Sequence, residues 1–173
     1  MNYKTKLYAI KAFVFDVDGV FTNGLVLATP EGDLLRQHNS KDGYAVRYAV
    51  AQGYHIGIIS GGASESIRKR FAMLGVSDVY LGHRDKSAAF AEFCEKYHLE
   101  SREVLVMGDD IPDISILQAS GCATCPADAV QEVRDVVVYI SSKKGGEGCV
   151  RDVIEQTLKL QDKWNLTSYE VSA

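Results

Sequence analysis

The residues best suited to chemistry in this sequence are acidic pairs that follow apolar segments. Asp16 and Asp18 come directly after the apolar run 12–15, and Asp109 and Asp110 follow a later apolar run. Because Asp16 and Asp18 lie two residues apart in an extended segment, their side chains point the same way. Carboxylates this close to a third one repel each other unless a cation or protons intervene. Since Mg²⁺ prefers oxygen ligands, the acidic groups predict a magnesium site.

The same groups, together with one hydroxyl and one ammonium group, are suited to phosphate-ester hydrolysis. A carboxylate can attack phosphorus without losing a proton first, which allows an aspartyl-phosphate intermediate. A second carboxyl group can protonate the leaving alkoxide and then activate water as a base. Ser60 and the backbone amides after it can bind phosphoryl oxygens, and Lys86 can neutralise charge that the metal leaves uncompensated. The set predicts a magnesium-dependent phosphatase.

The pattern of apolar segments predicts a scaffold that brings these distant residues together. Strands are predicted at 12–15, 55–59, 78–81, 103–107, 122–124 and 136–140, and helices over 42–52, 64–74, 112–119, 129–133 and 150–160 and from 85 onward. Asp42 is predicted to cap the helix over 42–52. This alternation predicts an α/β fold, a three-layer Rossmann-like parallel sheet. Ligands of such sheets bind beyond the carboxyl ends of the strands, which is where the residues above stand.

One element falls outside the alternation. Residues 24–38 are predicted to form a β-hairpin, with its turn at 29–33, that projects from the sheet. The 173 residues contain no repeat and no linker. We therefore expect a single domain over 1–173, with a core of about 8–164 and a short C-terminal tail.

Composition and net charge limit the kinds of partner and the cellular location that we expect. The formal net charge is -4, so no global positive field would recruit nucleic acid or an anionic membrane. No apolar stretch is long enough to span a membrane and no apolar leader is visible, which predicts a cytoplasmic protein. The four cysteines include a Cys122-x-x-Cys125 pair, but no second pair or histidine accompanies it. We interpret this pair as buried thiols rather than as a redox or metal site.

Four segments, in this order, resemble the four motifs of the haloacid dehalogenase superfamily of phosphatases: 16–22 (DVDGVFT), 58–61 (IISG), Lys86 and 108–113 (GDDIPD). The resemblance implies that Asp16 is the nucleophile and Asp18 the general acid and base, with Ser60 and Lys86 as further catalytic residues. It also implies that Asp16, the Asp18 carbonyl and Asp109 hold Mg²⁺. Asp110 and Asp113 would support these ligands from behind.

Larger members of the superfamily carry a cap domain between these motifs, and no cap fits in this chain. The substrate must then be large enough to cover the site itself, or other subunits must cover it. The hairpin, the segment 39–44 (NSKDGY), Ser60-Gly61-Gly62 and 145–151 (GGEGCVR) are similar to those of the capless 3-deoxy-D-manno-octulosonate 8-phosphate phosphatases. That resemblance implies a homotetramer whose hairpins form a central barrel and whose substrate is an eight-carbon sugar acid phosphate used for lipopolysaccharide.

The same resemblance implies a set of substrate contacts. Besides Asp18, Ser60 and Lys86, it comprises Asn39, Ser40, Lys41, Asp42, Gly43, Arg47, Gly61 and Arg70. An arginine such as Arg70 can grip the sugar carboxylate with two hydrogen bonds. Gly62 stands where some relatives carry Arg, which leaves a nine-carbon sialic acid-type 9-phosphate open as an alternative substrate.

The sequence leaves two other classes of function open. A phospho-accepting receiver domain also combines an Asp, an acidic pair, a hydroxyl and a Lys on an α/β sheet. In receivers, however, the acidic pair closes the first strand, whereas here the first strand ends in Asp16-Val17-Asp18. A non-catalytic binding or scaffold domain would have no need to keep Asp18 or Lys86.

Overall fold

A computed structural model describes residues 2–83 and 85–165 of the chain, and its centre is a parallel six-stranded sheet. In spatial order, the strands are β5, β4, β1, β6, β7 and β8. Their bounds are Asp78–Leu81 (β5), His55–Ser60 (β4), Ala12–Phe15 (β1), Val104–Met107 (β6), Cys122–Cys125 (β7) and Tyr139–Ile140 (β8). Strand β1 therefore lies inside the sheet, between β4 and β6, and its carboxyl end is flanked by both.

Helices cover both faces of the sheet. Their bounds are Lys4–Leu7 (α1), Ser40–Ala51 (α2), Glu65–Ala72 (α3), Lys86–Lys96 (α4), Ile114–Ala119 (α5), Gln131–Arg134 (α6) and Cys149–Leu160 (α7). Buried side chains of α1, α2, α3 and α7 form one core, and those of α4, α5 and α6 form the other. None of the helices in the described ranges is long and apolar enough to cross a membrane.

The alternation of strand side chains explains the two cores. Phe13 and Phe15 enter the core under α2 and α7, whereas Ala12 and Val14 enter the core under α4 and α5. Successive residues of a strand point to opposite faces, so a strand covered on both faces must be apolar throughout. All four residues of β1 are fully buried. The segment that carries Asp16 and Asp18 thus follows a fully buried strand.

The predicted fold class is confirmed, and several element boundaries differ. The predicted strand 136–140 pairs only at Tyr139 and Ile140, and the short helix α1 was not predicted. Asp42 was predicted to cap the second helix, but that helix begins at Ser40 with Asn39 as its N-cap. This prediction was wrong because Asp42 has another role, described below. Residues 166–173, most of the predicted tail, lie outside the described residues.

The hairpin stands apart from the main sheet, as predicted. Its strands are Leu27–Ala28 (β2) and Leu34–Leu35 (β3), which pair antiparallel in a sheet of their own. They are shorter than the predicted arms. Five of its apolar side chains are exposed: Leu25, Val26, Leu27, Leu34 and Leu35.

Candidate active site

The predicted chemical residues meet in one cavity of about 430 Å³ at the carboxyl edge of the sheet. Loops after β1, β4 and β6 and the start of α4 supply its walls. The cavity is lined by Asp16, Asp18, Gly24, Ser60, Gly61, Gly62, His83, Lys86, Asp109, Asp110, Pro112 and Asp113. His83, Gly24 and Pro112 are the members of this set that the sequence did not indicate.

Lys86 is a buried cation in the lining of the cavity. Its side chain is 4% exposed, and its Nζ lies 3.0 Å from Asp16 Oδ1 and 2.5 Å from Asp113 Oδ1. Burial disfavours the charged amine, but the two carboxylates outweigh this cost and raise the pKa of Lys86. Lys86 therefore stays an ammonium group against Asp16. The helix α4 is anchored at this point by Asp85, which accepts a hydrogen bond from Ser87 N.

Asp113 shapes the acidic loop rather than facing the cavity with free oxygens. Its Oδ2 accepts hydrogen bonds from the amides of Asp109 (3.0 Å) and Asp110 (3.3 Å), and its Oδ1 holds Lys86. A side chain at residue 108 would place its Cβ 2.4 Å from the Asp113 Cβ. Glycine at 108 is thus required for this loop to close.

Three carboxylates are close enough to share a divalent cation. Oxygens of Asp16, Asp109 and Asp113 all lie within 4.8 Å of one another. Burial and the charges of Asp16 and Asp113 raise the pKa of Asp109 to about 8. Burial and the charge of Asp113 also raise the pKa of Asp16, although Lys86 opposes the shift. A hard cation with oxygen ligands is the group that relieves such repulsion.

Asp109 is the carboxylate best placed to become a ligand. Its Oδ1 is buried and has no hydrogen-bond partner among the described residues, whereas both oxygens of Asp113 are already bonded. A Cβ at Gly19 would lie 1.9 Å from Asp109 Oδ2, so the chain keeps this approach open with a glycine at φ +85°. These observations fit a metal held by Asp16 and Asp109, with Asp113 behind them.

Asp18, the third member of the predicted ligand set, lies in the cavity lining with its carboxylate turned to an arginine. Arg36 Nε donates to Asp18 Oδ1 at 2.7 Å, and Arg36 Nη2 donates to Asp18 Oδ2 at 3.0 Å. Arg36 was not predicted from the sequence, because it lies 18 residues from Asp18, directly after strand β3 of the hairpin. No local motif marks this contact.

Ser60 takes the position expected of a group that binds phosphoryl oxygens. It is the last residue of β4, it is buried, and it lines the cavity. Its Oγ accepts a hydrogen bond of 3.1 Å from Gly62 N. The hydroxyl proton is therefore available to donate toward the cavity.

The predicted substrate contacts separate into two groups. Asn39 caps α2 and donates from Nδ2 to the Gly146 carbonyl (3.0 Å), while Ser40, Lys41 and Arg47 are exposed. Arg70 lies against Gly43 and lines a second cavity of about 760 Å³ beside the hairpin. Contact of these residues with a substrate stays a prediction.

Asp42 lies under the start of α7 and is fully buried. Its Oδ1 accepts a hydrogen bond of 2.8 Å from Arg151 N, and its Oδ2 has no partner among the described residues. Burial raises its pKa from the ordinary value of 3.8 to about 6. These contacts give Asp42 a structural role that joins α2 to α7, and they offer no support for its predicted contact with the substrate.

Comparison with known proteins places the fold in one group of enzymes. Residues 74–154 match the family model described as haloacid dehalogenase-like hydrolase. The 3-deoxy-D-manno-octulosonate 8-phosphate phosphatase of Salmonella typhi is 32% identical over 159 residues, which cover 92% of this chain and 85% of that protein.

Two solved structures of similar proteins agree closely with this fold. The 3-deoxy-D-manno-octulosonate 8-phosphate phosphatase of Yersinia pestis matches with a TM-score of 0.92 and 30% identity, over 94% of this chain and 88% of that one. The Moraxella catarrhalis enzyme of the same name, in complex with magnesium ion, phosphate ion and KDO molecule, matches with a TM-score of 0.90 and 30% identity. That match covers 94% of this chain and 93% of the other.

Asp109→Asn should remove the metal site without harming the fold. We expect Mg²⁺ affinity, measured by calorimetric titration, to fall at least 10–100-fold, roughly the loss that follows when a metal ligand's own support is removed. The metal-free variant should melt at the parent temperature or above it, because it no longer buries a carboxylate without a partner. Asp135→Asn, which changes an exposed carboxylate outside the cavity lining, is the matched control. Parent-like Mg²⁺ affinity in Asp109→Asn would contradict the assignment.

The raised pKa of Asp42 predicts that the stability of the protein depends on pH. The folded state holds the Asp42 proton up to about pH 6, whereas the unfolded chain releases it near pH 4, so the folded state binds more protons between these values. The free energy of unfolding of the parent should therefore fall relative to Asp42→Asn as pH rises from 4 to 7, by up to about 3 kcal/mol. Urea titrations of both proteins measure the difference. A constant difference across this pH range would refute the claim.

Proposed function

The chain belongs to the family of the 3-deoxy-D-manno-octulosonate 8-phosphate phosphatases, within the haloacid dehalogenase-like hydrolases, and from this we propose that it hydrolyses 3-deoxy-D-manno-octulosonate 8-phosphate to the free sugar acid and phosphate. The observation that carries the proposal is the cluster in which Lys86 contacts Asp16 and Asp113 while Asp109 keeps a buried oxygen unpaired. Lys86, together with a metal ion held by the carboxylates, would supply the positive charge that binds a phosphomonoester. The proposed product serves as a precursor of lipopolysaccharide.

Asp16 is the proposed nucleophile. It stands directly after β1, and Lys86 fixes one of its oxygens from the side. The other oxygen can form the bond to phosphorus while the bond from phosphorus to the sugar oxygen breaks. Lys86 and the Ser60 hydroxyl would hold the phosphoryl oxygens in place. Bound Mg²⁺, held by Asp16, Asp109 and the Asp18 carbonyl, would neutralise the charge of the phosphoryl group.

Asp18 is the proposed general acid and base. Its side chain is 34% exposed and lines the cavity, so a leaving group and water could both reach it. It would give its proton to the departing sugar oxygen and take a proton from the water that cleaves the aspartyl phosphate. Asp110 and Asp113 would keep the acidic loop in shape, as the hydrogen bonds to Asp113 Oδ2 suggest.

The sugar acid would extend from the phosphate toward the second cavity. Arg70 is half-buried there, close to Gly43 and to the hairpin. Its guanidinium is suited to a carboxylate, since the planar fork matches both oxygens. Asn39, Ser40, Lys41 and Arg47 would contact the hydroxyl groups, and Gly61 would admit the phosphate to the backbone amides.

We also propose a homotetramer in the cytoplasm. The exposed leucines of the hairpin, of which Leu25 and Leu27 are 73% and 67% exposed, support assembly, because contiguous apolar patches on a surface mark interaction sites. A neighbouring subunit would then cover the open cavity. The four free thiols support a reducing compartment.

A phosphate-release assay tests the substrate. With Mg²⁺, the parent should act on the eight-carbon 8-phosphate in preference to a nine-carbon sialic acid-type 9-phosphate, and a chelator should abolish release. Asp16→Asn should lower the rate at least about 10³-fold, since it removes the nucleophile. Asp135→Asn, an exposed carboxylate on the surface, is the control.

Three outcomes would change this assignment. Turnover of neither sugar phosphate would remove the proposed substrate. Stoichiometric labelling of Asp16 without phosphate release would favour a phospho-accepting receiver. Parent-rate hydrolysis by Asp16→Asn would show that another residue attacks phosphorus.

A charged substitution on the hairpin tests the proposed homotetramer. The parent should have about four times the monomer mass of 19.0 kDa in size-exclusion chromatography with light scattering. Leu27→Glu should yield smaller species and lower activity, because burying a carboxylate in an apolar interface is costly. Met73→Glu is the matched control, since Met73 is 72% exposed but lies outside the hairpin. A monomeric parent would refute the tetramer.

A further inference from the structure

Arg36 joins the hairpin to the catalytic cavity. It follows β3 directly, and its side chain is 5% exposed. Its Nε and Nη2 donate to the two oxygens of Asp18, and its Nη1 donates to the Leu34 carbonyl at 3.0 Å. Such deep burial of an arginine is unusual unless its charge is paired. The partner of Arg36 is the proposed general acid.

The geometry of this pair fixes the direction of the Asp18 carboxylate. Two parallel N–H···O bonds specify both the distance and the plane of the acceptor, which a single contact does not. No other hydrogen bond to the Asp18 carboxylate is present within the described part of the chain. Without Arg36, the partly exposed Asp18 side chain would be free to rotate among its rotamers.

Arg36 is in turn held from two sides. The hairpin holds one guanidinium nitrogen, Nη1, through the Leu34 carbonyl. On the other side, a Cβ at Gly62 would lie 3.2 Å from Arg36 Nη2, so the absence of a side chain at 62 leaves room for the guanidinium. The loop after β4 and the hairpin together therefore define where the guanidinium can lie.

We propose that Arg36 is the positioning residue of the general acid. Both Asp18 oxygens accept hydrogen bonds from Arg36 in this structure, so one of the two bonds must open when Asp18 carries the proton that it passes to the leaving sugar oxygen. The other bond keeps the carboxyl group aligned. This inference rests on the proposed function, in which Asp18 acts as acid. Arg36 itself contacts neither phosphorus nor the leaving group in this account. Its effect should therefore depend on how much the leaving group needs a proton.

Leaving-group dependence is the test. The sugar 8-phosphate releases an alkoxide that requires a proton, whereas 4-nitrophenyl phosphate releases a phenolate that does not. Arg36→Met should lower kcat/KM about 10²-fold for the sugar phosphate, within the contribution of a general acid. For 4-nitrophenyl phosphate the loss should be less than about 5-fold. Arg36→Lys should recover only part of the loss, because an ammonium group cannot grip both oxygens.

Two controls separate this inference from the proposed function. Arg102→Met, which removes a 74% exposed arginine, should leave both substrates unaffected. A crystal structure of Arg36→Met should show Asp18 reoriented while Asp16, Lys86 and Asp113 keep their places, whichever phosphate the parent hydrolyses. Equal losses for both phosphates, or an unmoved Asp18, would overturn the positioning role. If the parent does not hydrolyse the sugar phosphate, that result would instead count against the proposed function alone.

Discussion

Repulsion between buried carboxylates is the constraint on which this site depends. Asp16, Asp109 and Asp113 bring oxygens within 4.8 Å of one another, and within this cluster Lys86 is the cation that contacts two of them. Lys86 compensates Asp16 and Asp113 but leaves the buried Asp109 Oδ1 without a partner. A divalent cation would supply the positive charge that this cluster lacks, and together with Lys86 it would offset the negative charge of an incoming phosphate. The fold thus holds an excess of negative charge that a bound cation would offset.

The segment before α7 helps to keep the acidic residues close together. A Cβ at Gly145 would lie 1.9 Å from the Gly19 carbonyl, so the segment before α7 packs directly on the loop that follows Asp18. Asp128 Oδ1 accepts a hydrogen bond from Gly145 N, and Asn39 donates to the Gly146 carbonyl. Residues far from the acidic cluster therefore determine how closely the loop after β1 can approach Asp109.

The residues that sequence could predict are those fixed by one strand and its own loop. Asp16, Ser60 and Asp109 each follow or end a buried strand, and parallel strands bring such positions to one edge. Arg36 could not be predicted, because its contact depends on how the hairpin folds back over the loop after β1. Asp42 looked like a helix cap by its type and position. Its burial under α7 depends on a contact between elements more than 100 residues apart, which no local pattern encodes.

The hairpin links the two properties that set this capless site apart, its openness and its proposed assembly. One end of the hairpin holds Asp18 through Arg36, while its apolar side chains face outward. A contact that covers those side chains would also restrict the hairpin, and the hairpin restricts the guanidinium through Leu34. Shielding of the cavity and orientation of the acid would then come from the same subunit contact. A domain with a cap would obtain both from within one chain, whereas this one would obtain them from its neighbours.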